Sequence, residues 1–402
     1  MLEAGKMQVK SKRGDEVRLY CDLEEKIEFG ELIEISEEDR SVVVQVIDIE
    51  QDSELLLAGE KGREVVAKIR LEGIGGEHRV YKEWSGWFPS TPVLIKKVKA
   101  SDVLAPSSWQ ENIPLGRERV DGSIFNISPR DLRTLNVMAG IHSDTLLGIL
   151  ASTLCLKEYK VIILDTTGNF IKNLSRTVRD KFRVFKLGRD IRLPLSTLRR
   201  DFFAIYGWSE PLLTLFDNIY KKYGKTDPSP LRKILAELSL RKDTELFIDF
   251  LDLASEILTT KNSELETGKY VILDISEYEG PPALLASLYY IMEEDYRYIF
   301  LTNIRSFYVQ DLEKLARLLI SRRKAIFIDI GVDTELSLLL RYAVNLFFTG
   351  PYNRLLEDIF PLLENEEPLL RRLSSEEYLA NGLLTKNTPI ILTMLRPEEV
   401  RG

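Results

Sequence analysis

Residues 135 to 170, LNVMAGIHSDTLLGILASTLCLKEYKVIILDTTGNF, set Gly140, His142, Ser143, Asp144 and Thr145 in a turn between a strand-like run and a helix, with a second strand ending in Asp-x-x-Gly. A turn of this layout holds phosphate when it reads G-x-x-x-x-G-K-S/T. Glycines then let backbone N–H groups close round the anion, a lysine meets its charge, and a hydroxyl reaches Mg2+. Here Gly140 is the only glycine before the helix, the lysine position falls at or near Ser143, and Asp144 stands where the anionic oxygens would lie. Exchanging attraction for repulsion in a partly desolvated turn shifts binding by several kcal/mol. Gly140, Ser143, Asp144 and Thr145 therefore read as the remains of a phosphate turn that has lost its nucleotide, and no cofactor is expected. His142, Ser143 and Asp144 are consecutive, and consecutive residues cannot meet as nucleophile, base and orienter, so no catalytic residue is assigned. Ser143 or Asp144 is expected to cap the helix that follows.

Other chemistry is sparser. Asp165 and Asp274 end strand-like runs and are read as structural rather than as metal ligands. Arg322, Arg323 and Lys324, and the mixed run 176 to 192, offer cations to the phosphates of DNA. Net charge is −8, which speaks against a globally basic nucleic-acid binder yet permits a basic groove on an acidic body. With two cysteines (Cys21, Cys155) and two histidines (His78, His142), neither a disulfide framework nor a metal site is expected. The amino terminus lacks an apolar signal core, and the longest apolar runs are far short of the ~20 residues that span a bilayer, so the expectation is a cytoplasmic chain without membrane contact. Five glutamines among many Glu, Lys and Arg suggest a thermophilic source.

The elements that must position these residues fall into two regimes. Short β-rich runs at 16–21, 26–36, 41–50, 64–73 and 90–104, without ordinary helices between them, predict a small barrel or sandwich. A polar connection follows at 106–123. Beyond it, apolar strands at 135–140, 160–164, 183–187, 270–275, 298–302, 325–330 and 345–350 alternate with helical segments, as in a parallel sheet covered on both faces. Helical spacing through PLLTLFDNIYKKY and LRKILAELSL marks an inserted helical region at about 196–266. The domains are therefore placed at 1–110 and 111–402. The segment 357–384 reads as core packing.

This order resembles the HerA branch of the FtsK-HerA family of hexameric DNA-pumping ATPases, which puts a β-barrel before a RecA-like P-loop core. STPVLIKKVKASDVL is similar to the barrel's closing segment, and IPLGRERVDGSIFNISPRDL to the connector into the core. KVIILDTTGNF is similar to the strand ending Asp-x-x-Gly-Glu, with Asn169 for the glutamate, and GKYVILDIS to the strand ending Asp-Ile-Ser. The resemblance implies a Walker B strand at YIFLTNIRSFY, where Thr302 and Asn303 occupy the acidic positions, and a sensor strand at AIFIDIGVD, where Asp329 replaces a polar residue. A Thr/Asn pair neither holds Mg2+ well nor polarises water. The expected fold is α/β: a small amino-terminal barrel followed by a RecA-like core with a helical insertion. The expected function is a degenerate HerA-like structural or regulatory subunit of a DNA-processing or translocation complex. It would form a homo- or hetero-oligomer, a ring being one such arrangement, with a HerA ATPase or NurA-type nuclease as partner, and family analogy lets the carboxyl terminus extend over a neighbour. Two alternatives stand beside it. One is an active DNA translocase using ATP and Mg2+, with a lysine or arginine supplied by a neighbouring subunit. The other is a homomeric scaffold unrelated to nucleic acid.

Overall fold

Val17, Leu19 and Cys21 are fully buried while their neighbours in EVRLYCD are only partly so, the alternation of a half-buried strand. That rule builds an amino-terminal sheet of seven strands: β1 (Met7–Arg13), β2 (Glu16–Asp22), β3 (Leu32–Glu37), β4 (Arg40–Glu50), β5 (Gly62–Ile74), β6 (Val80–Glu83) and β7 (Leu94–Val98). The structure is a computed structural model. It describes residues 7–50, 62–76, 79–90, 94–104, 112–132, 135–194, 199–223, 228–238, 242–259, 268–292, 296–333, 335–351 and 367–395. His78, residues 106–111 of the expected connection, 357–366 and the chain beyond 395 lie outside this set. All pairings in the sheet are antiparallel, in the order β1-β2-β5-β4-β3-β7, with β6 also on β5. One face packs Val17, Leu19, Ile33, Ile35, Val44 and Val46 into an apolar core. The other carries glutamates under cations. Glu34 accepts from Ser41, Arg79 and Tyr81 and pairs with Lys96, Glu64 pairs with Lys10 and Arg18, and Glu72 pairs with Arg40.

Of the expected run 26–36 only the part from Leu32 is strand, and 90–104 divides into β7 and a single helical turn, Ala100–Leu104. The chain separates into two compact units, one built from residues 1–131 with 345–395 and one from 132–344. In the first, β8 (Ile113–Glu118), β9 (Ile124–Ile127), β18 (Asn345–Thr349), β19 (Glu377–Gly382) and β20 (Ile390–Thr393) pair antiparallel in the order β18-β19-β20-β8-β9. Part of the expected connection is thus a β-hairpin. NLFFTG, expected as a strand of the parallel sheet, is a strand that pairs antiparallel with β19 on one side.

In the second unit β10 (Leu135–Gly140), β11 (Val161–Asp165), β12 (Arg183–Lys186), β15 (Tyr270–Asp274), β16 (Tyr298–Leu301) and β17 (Ala325–Gly331) run parallel in the order β12-β15-β11-β16-β17-β10. β10, β11, β16 and most of β17 are buried throughout, as helices on both faces require. The unit's α-helices of more than four residues are, among the described residues, α1 (Ser143–Leu156), α2 (Arg200–Ile205), α3 (Glu210–Tyr223), α4 (Pro228–Leu238), α5 (Lys242–Ala254), α6 (Pro281–Met292) and α7 (Leu312–Ser321). Helices α2 to α5 lie in sequence between the two-residue strands β13 (Leu193–Pro194) and β14 (Leu258–Thr259), which pair with each other. Helices α2, α3 and α5 share an aromatic cluster in which Phe203 stacks on Trp208 at 4.1 Å and meets Phe250 edge-on at 5.0 Å. No helix among the described residues is long and apolar enough to cross a membrane.

Candidate functional site at the carboxyl edge of the parallel sheet

Parallel strands deliver their carboxyl ends to one edge, where open α/β sheets form their ligand crevices. Strand β10 delivers the turn. Gly140 leaves it at φ +108°, a conformation that a Cβ would oppose. Helix α1 then begins at Ser143, with His142 in the capping position and its side chain making no cap hydrogen bond. This corrects the expectation that Ser143 or Asp144 is the cap. The buried Ser143 hydroxyl instead points back, donating to the Gly140 carbonyl at 2.9 Å. Asp144 Oδ1 accepts the Thr145 N–H at 2.7 Å, and Oδ2 accepts from Asn173 Nδ2 at 3.1 Å. A helix amino terminus attracts anions through its free N–H groups and dipole. Here a carboxylate of the same chain already takes one of those donors, and residues 140 to 145 contain neither lysine nor arginine.

Strand β17 lies between β10 and β16, so the turn has Asp329 beside it rather than Thr302. Asp329 sits opposite Met138, one residue before an irregularity in the β10–β17 ladder, and accepts the Gly331 N–H at 2.9 Å. Burial pushes its carboxyl above the usual range, Ser143 and the Gly331 N–H oppose that, and the nearby Asp144 charge adds to it.

Thr302 is buried and fully engaged. Its Oγ1 accepts the Thr166 N–H at 2.9 Å, its carbonyl accepts the Thr166 hydroxyl at 2.8 Å, and its own hydroxyl lies 3.3 Å from the Leu164 carbonyl. These bonds stitch the ends of β16 and β11 with neutral groups. Asn303 follows in a left-handed conformation at φ +36°. Asp165 and Asp274 face one another in register but turn to separate tasks. Asp165 accepts from Thr167 N–H at 2.8 Å, Thr167 Oγ1 at 2.7 Å, Gly168 N–H at 3.0 Å and Phe170 N–H at 2.9 Å. Asp274 accepts from the Ser276 N–H at 3.0 Å and hydroxyl at 2.6 Å.

Arg322, Arg323 and Lys324 are not brought to this edge. They join the end of α7 to the start of β17, whose seven residues put about 20 Å between them and the Gly140–Thr145 turn. Arg323 is exposed, the Arg322 N–H closes α7 on the Leu319 carbonyl, and Lys324 Nζ donates to the Tyr290 carbonyl at 3.4 Å. Asn173 and Thr166 are the participants that sequence reading misses, since their partners Asp144 and Thr302 are 29 and 136 residues away. The Asp-Thr-Thr-Gly string does announce the turn built on Asp165.

No protein-family model matches the chain, and no curated protein matches it in sequence. Its likeness is to solved structures. VirB4 of Thermoanaerobacter pseudethanolicus is 14% identical over 73% of this chain and 99% of that one, with a TM-score of 0.53. The bacterial conjugative coupling protein TrwB, in its unbound monoclinic form, is 15% identical over 74% of this chain and 92% of that one, with a TM-score of 0.49. At this identity the first likeness establishes a fold, a mixed α/β fold of P-loop ATPase type.

Proposed function

We propose that the chain is a HerA-like relative of the FtsK-HerA ATPases whose nucleotide site no longer works, and that it serves as a structural or regulatory subunit of a DNA-processing or translocation complex. The amino-terminal sheet would be the family's barrel and helices α2 to α5 its helical insertion. The observation that carries the reading is Asp144, whose carboxylate takes the Thr145 N–H and Asn173 Nδ2 at the amino-terminal end of α1. Three further features agree with it. The turn offers no cation, Asp329 puts a second carboxyl beside it, and Thr302 uses its oxygens to tie two strands together. These residues do not fit a nucleoside triphosphate with Mg2+, which requires a cation for the phosphates and a carboxylate for the metal.

With chemistry set aside, the family's remaining role is assembly. A ring closed by head-to-tail contacts, with an active HerA ATPase or a NurA-type nuclease as neighbour, is the arrangement we infer. Arg322, Arg323 and Lys324 are its candidate contacts to DNA phosphates. Calorimetric titration of the full chain with ATP and Mg2+ tests the central point. No heat of binding is expected from the native chain, whereas Ser143→Lys/Asp144→Thr, which restores the cation and hydroxyl, should gain binding. Micromolar affinity in the native chain would reinstate the active translocase.

A further inference from the structure

The first unit contains a cavity of about 270 Å³ that has no part in the reading above. Its walls come from the turn before β3, the end of β7, the β8–β9 turn and β20, all within that unit. Leu32, Val98, Val120, Ile390 and Ile391 make it mainly apolar, and its size is just under the range of pockets that take drug-sized molecules. The walls are fixed. The fully buried Gln45 donates through Nε2 to the Gly30 carbonyl at 3.3 Å and the Pro389 carbonyl at 2.5 Å, and its Oε1 accepts from Arg70. The Arg119 N–H reaches the Ile391 carbonyl at 3.2 Å. Gly30, at φ +87°, brings its backbone against Ile391.

The charges on the lining are almost all spoken for. Lys97 pairs with Glu31 at 3.1 Å, Lys99 with Asp121 at 3.1 Å, and Arg119 with Glu377 at 3.3 Å. Glu118 is the exception. The residue is 7% exposed; its carboxyl accepts the Ala100 and Ser101 N–H groups at 3.1 and 2.9 Å and is also stabilised by the Ser123 hydroxyl and the nearby Lys99 charge, yet among the described residues it forms no ion pair within contact distance. These neutral donors leave a carboxylate without a contacting counter-charge on the wall of a mainly apolar cavity. Burial accordingly pushes this carboxyl upward, with the nearby Asp121 charge adding to it.

We propose that the cavity binds a small amphipathic cation, its ammonium or amidinium group paired with Glu118 and its apolar body against Val98, Val120 and Ile391. The ion pair that the fold leaves open at Glu118 would be completed by the ligand, and the apolar walls select a compact hydrocarbon body over a polyamine. This site stands on geometry separate from the phosphate turn and is independent of the function proposed above.

Benzylamine, benzyl alcohol and benzoate share a body and differ in charge, so they are suitable probes for the full chain by ligand-observed NMR and calorimetry. Benzylamine should bind saturably, about tenfold or more tighter than benzyl alcohol, as a charge-assisted hydrogen bond in a buried site predicts, and benzoate should not bind. Glu118→Gln should remove the preference for the amine while leaving benzyl alcohol binding unchanged. Val120→Trp, placed at a part-exposed wall so that folding is kept, should abolish binding of both. Equal binding of all three probes, an amine preference that survives Glu118→Gln, or no saturable binding of benzylamine by a folded chain would each overturn the proposal.

Discussion

Asp165 shows how much one side chain can hold. Its carboxylate accepts four hydrogen bonds from the turn after β11, and that turn places Thr166 against Thr302. Asp165→Ala should lower unfolding free energy by about 3–5 kcal/mol, because several donors of a buried turn lose a charged acceptor together. Asp165→Asn should cost about half as much, and urea unfolding at constant m-value measures both. Asp329 makes the opposite case. Its folded-state pKa is raised by burial, so the native state resists ionising it, and stability falls as pH rises above the ordinary carboxyl range. Asp329→Asn keeps an acceptor for the Gly331 N–H and removes the ionisation. It should therefore stabilise the chain at pH 7 to 8, and the gain should vanish below about pH 4, where an unfolded carboxyl is itself protonated. The absence of a cation and the presence of Asp144 in the turn are legible in sequence because they lie in one local string. The hydrogen bond from Asn173 is not, since nothing local couples it to Asp144.

Among elements, α1 is tied most closely to the site. A Cβ on Gly148 would lie 2.3 Å from the Asn173 carbonyl oxygen and 2.7 Å from its carbon, backbone atoms that cannot swing aside. Gly148→Ala should therefore destabilise by about 1–3 kcal/mol despite alanine's better helix propensity, and it should shift the Asn173 amide resonances in NMR spectra by displacing the loop that holds Asp144. In the amino-terminal sheet, burial would raise the Glu34 carboxyl, but hydrogen bonds from Ser41, Arg79, Tyr81 and Lys96 outweigh it and hold the group below its ordinary 4.5. A lowered pKa contributes stability above the unfolded value and loses it as pH falls. The native chain's advantage over Glu34→Gln should thus be full near neutrality and shrink through and below pH 4.5, as thermal melts across pH would register. Strands such as β10, β11 and β17 are legible because unbroken apolar runs have few other uses. β1 and β6 are not, since MQVKSKR and VYKE are largely exposed edges in which charge masks the alternation. β8 and β9 hide inside a Gly-bearing polar stretch whose partner β20 lies more than 250 residues further on.

For the whole molecule, a net charge of −8 makes any DNA affinity depend on local cations. If Arg322, Arg323 and Lys324 meet phosphates, Arg322→Ala/Arg323→Ala should weaken binding to duplexes of any sequence and flatten the salt dependence by about two phosphate contacts, seen by fluorescence anisotropy from 50 to 200 mM salt. Self-association that is indifferent to salt, with no DNA affinity, would favour the homomeric scaffold. The units themselves were only half visible in sequence, because composition marks where elements change but not which distant strands rejoin. The first unit is discontinuous, resuming at 345 after the second has intervened. On the ribosome this sets an order of events. At roughly 5–20 residues per second, β8 waits some tens of seconds for the synthesis of β20, while every strand of the second unit has already been made. The nascent chain thus carries an unclaimed strand edge throughout translation of its own middle, and a stall before residue 390 leaves that edge open to whatever strand arrives first.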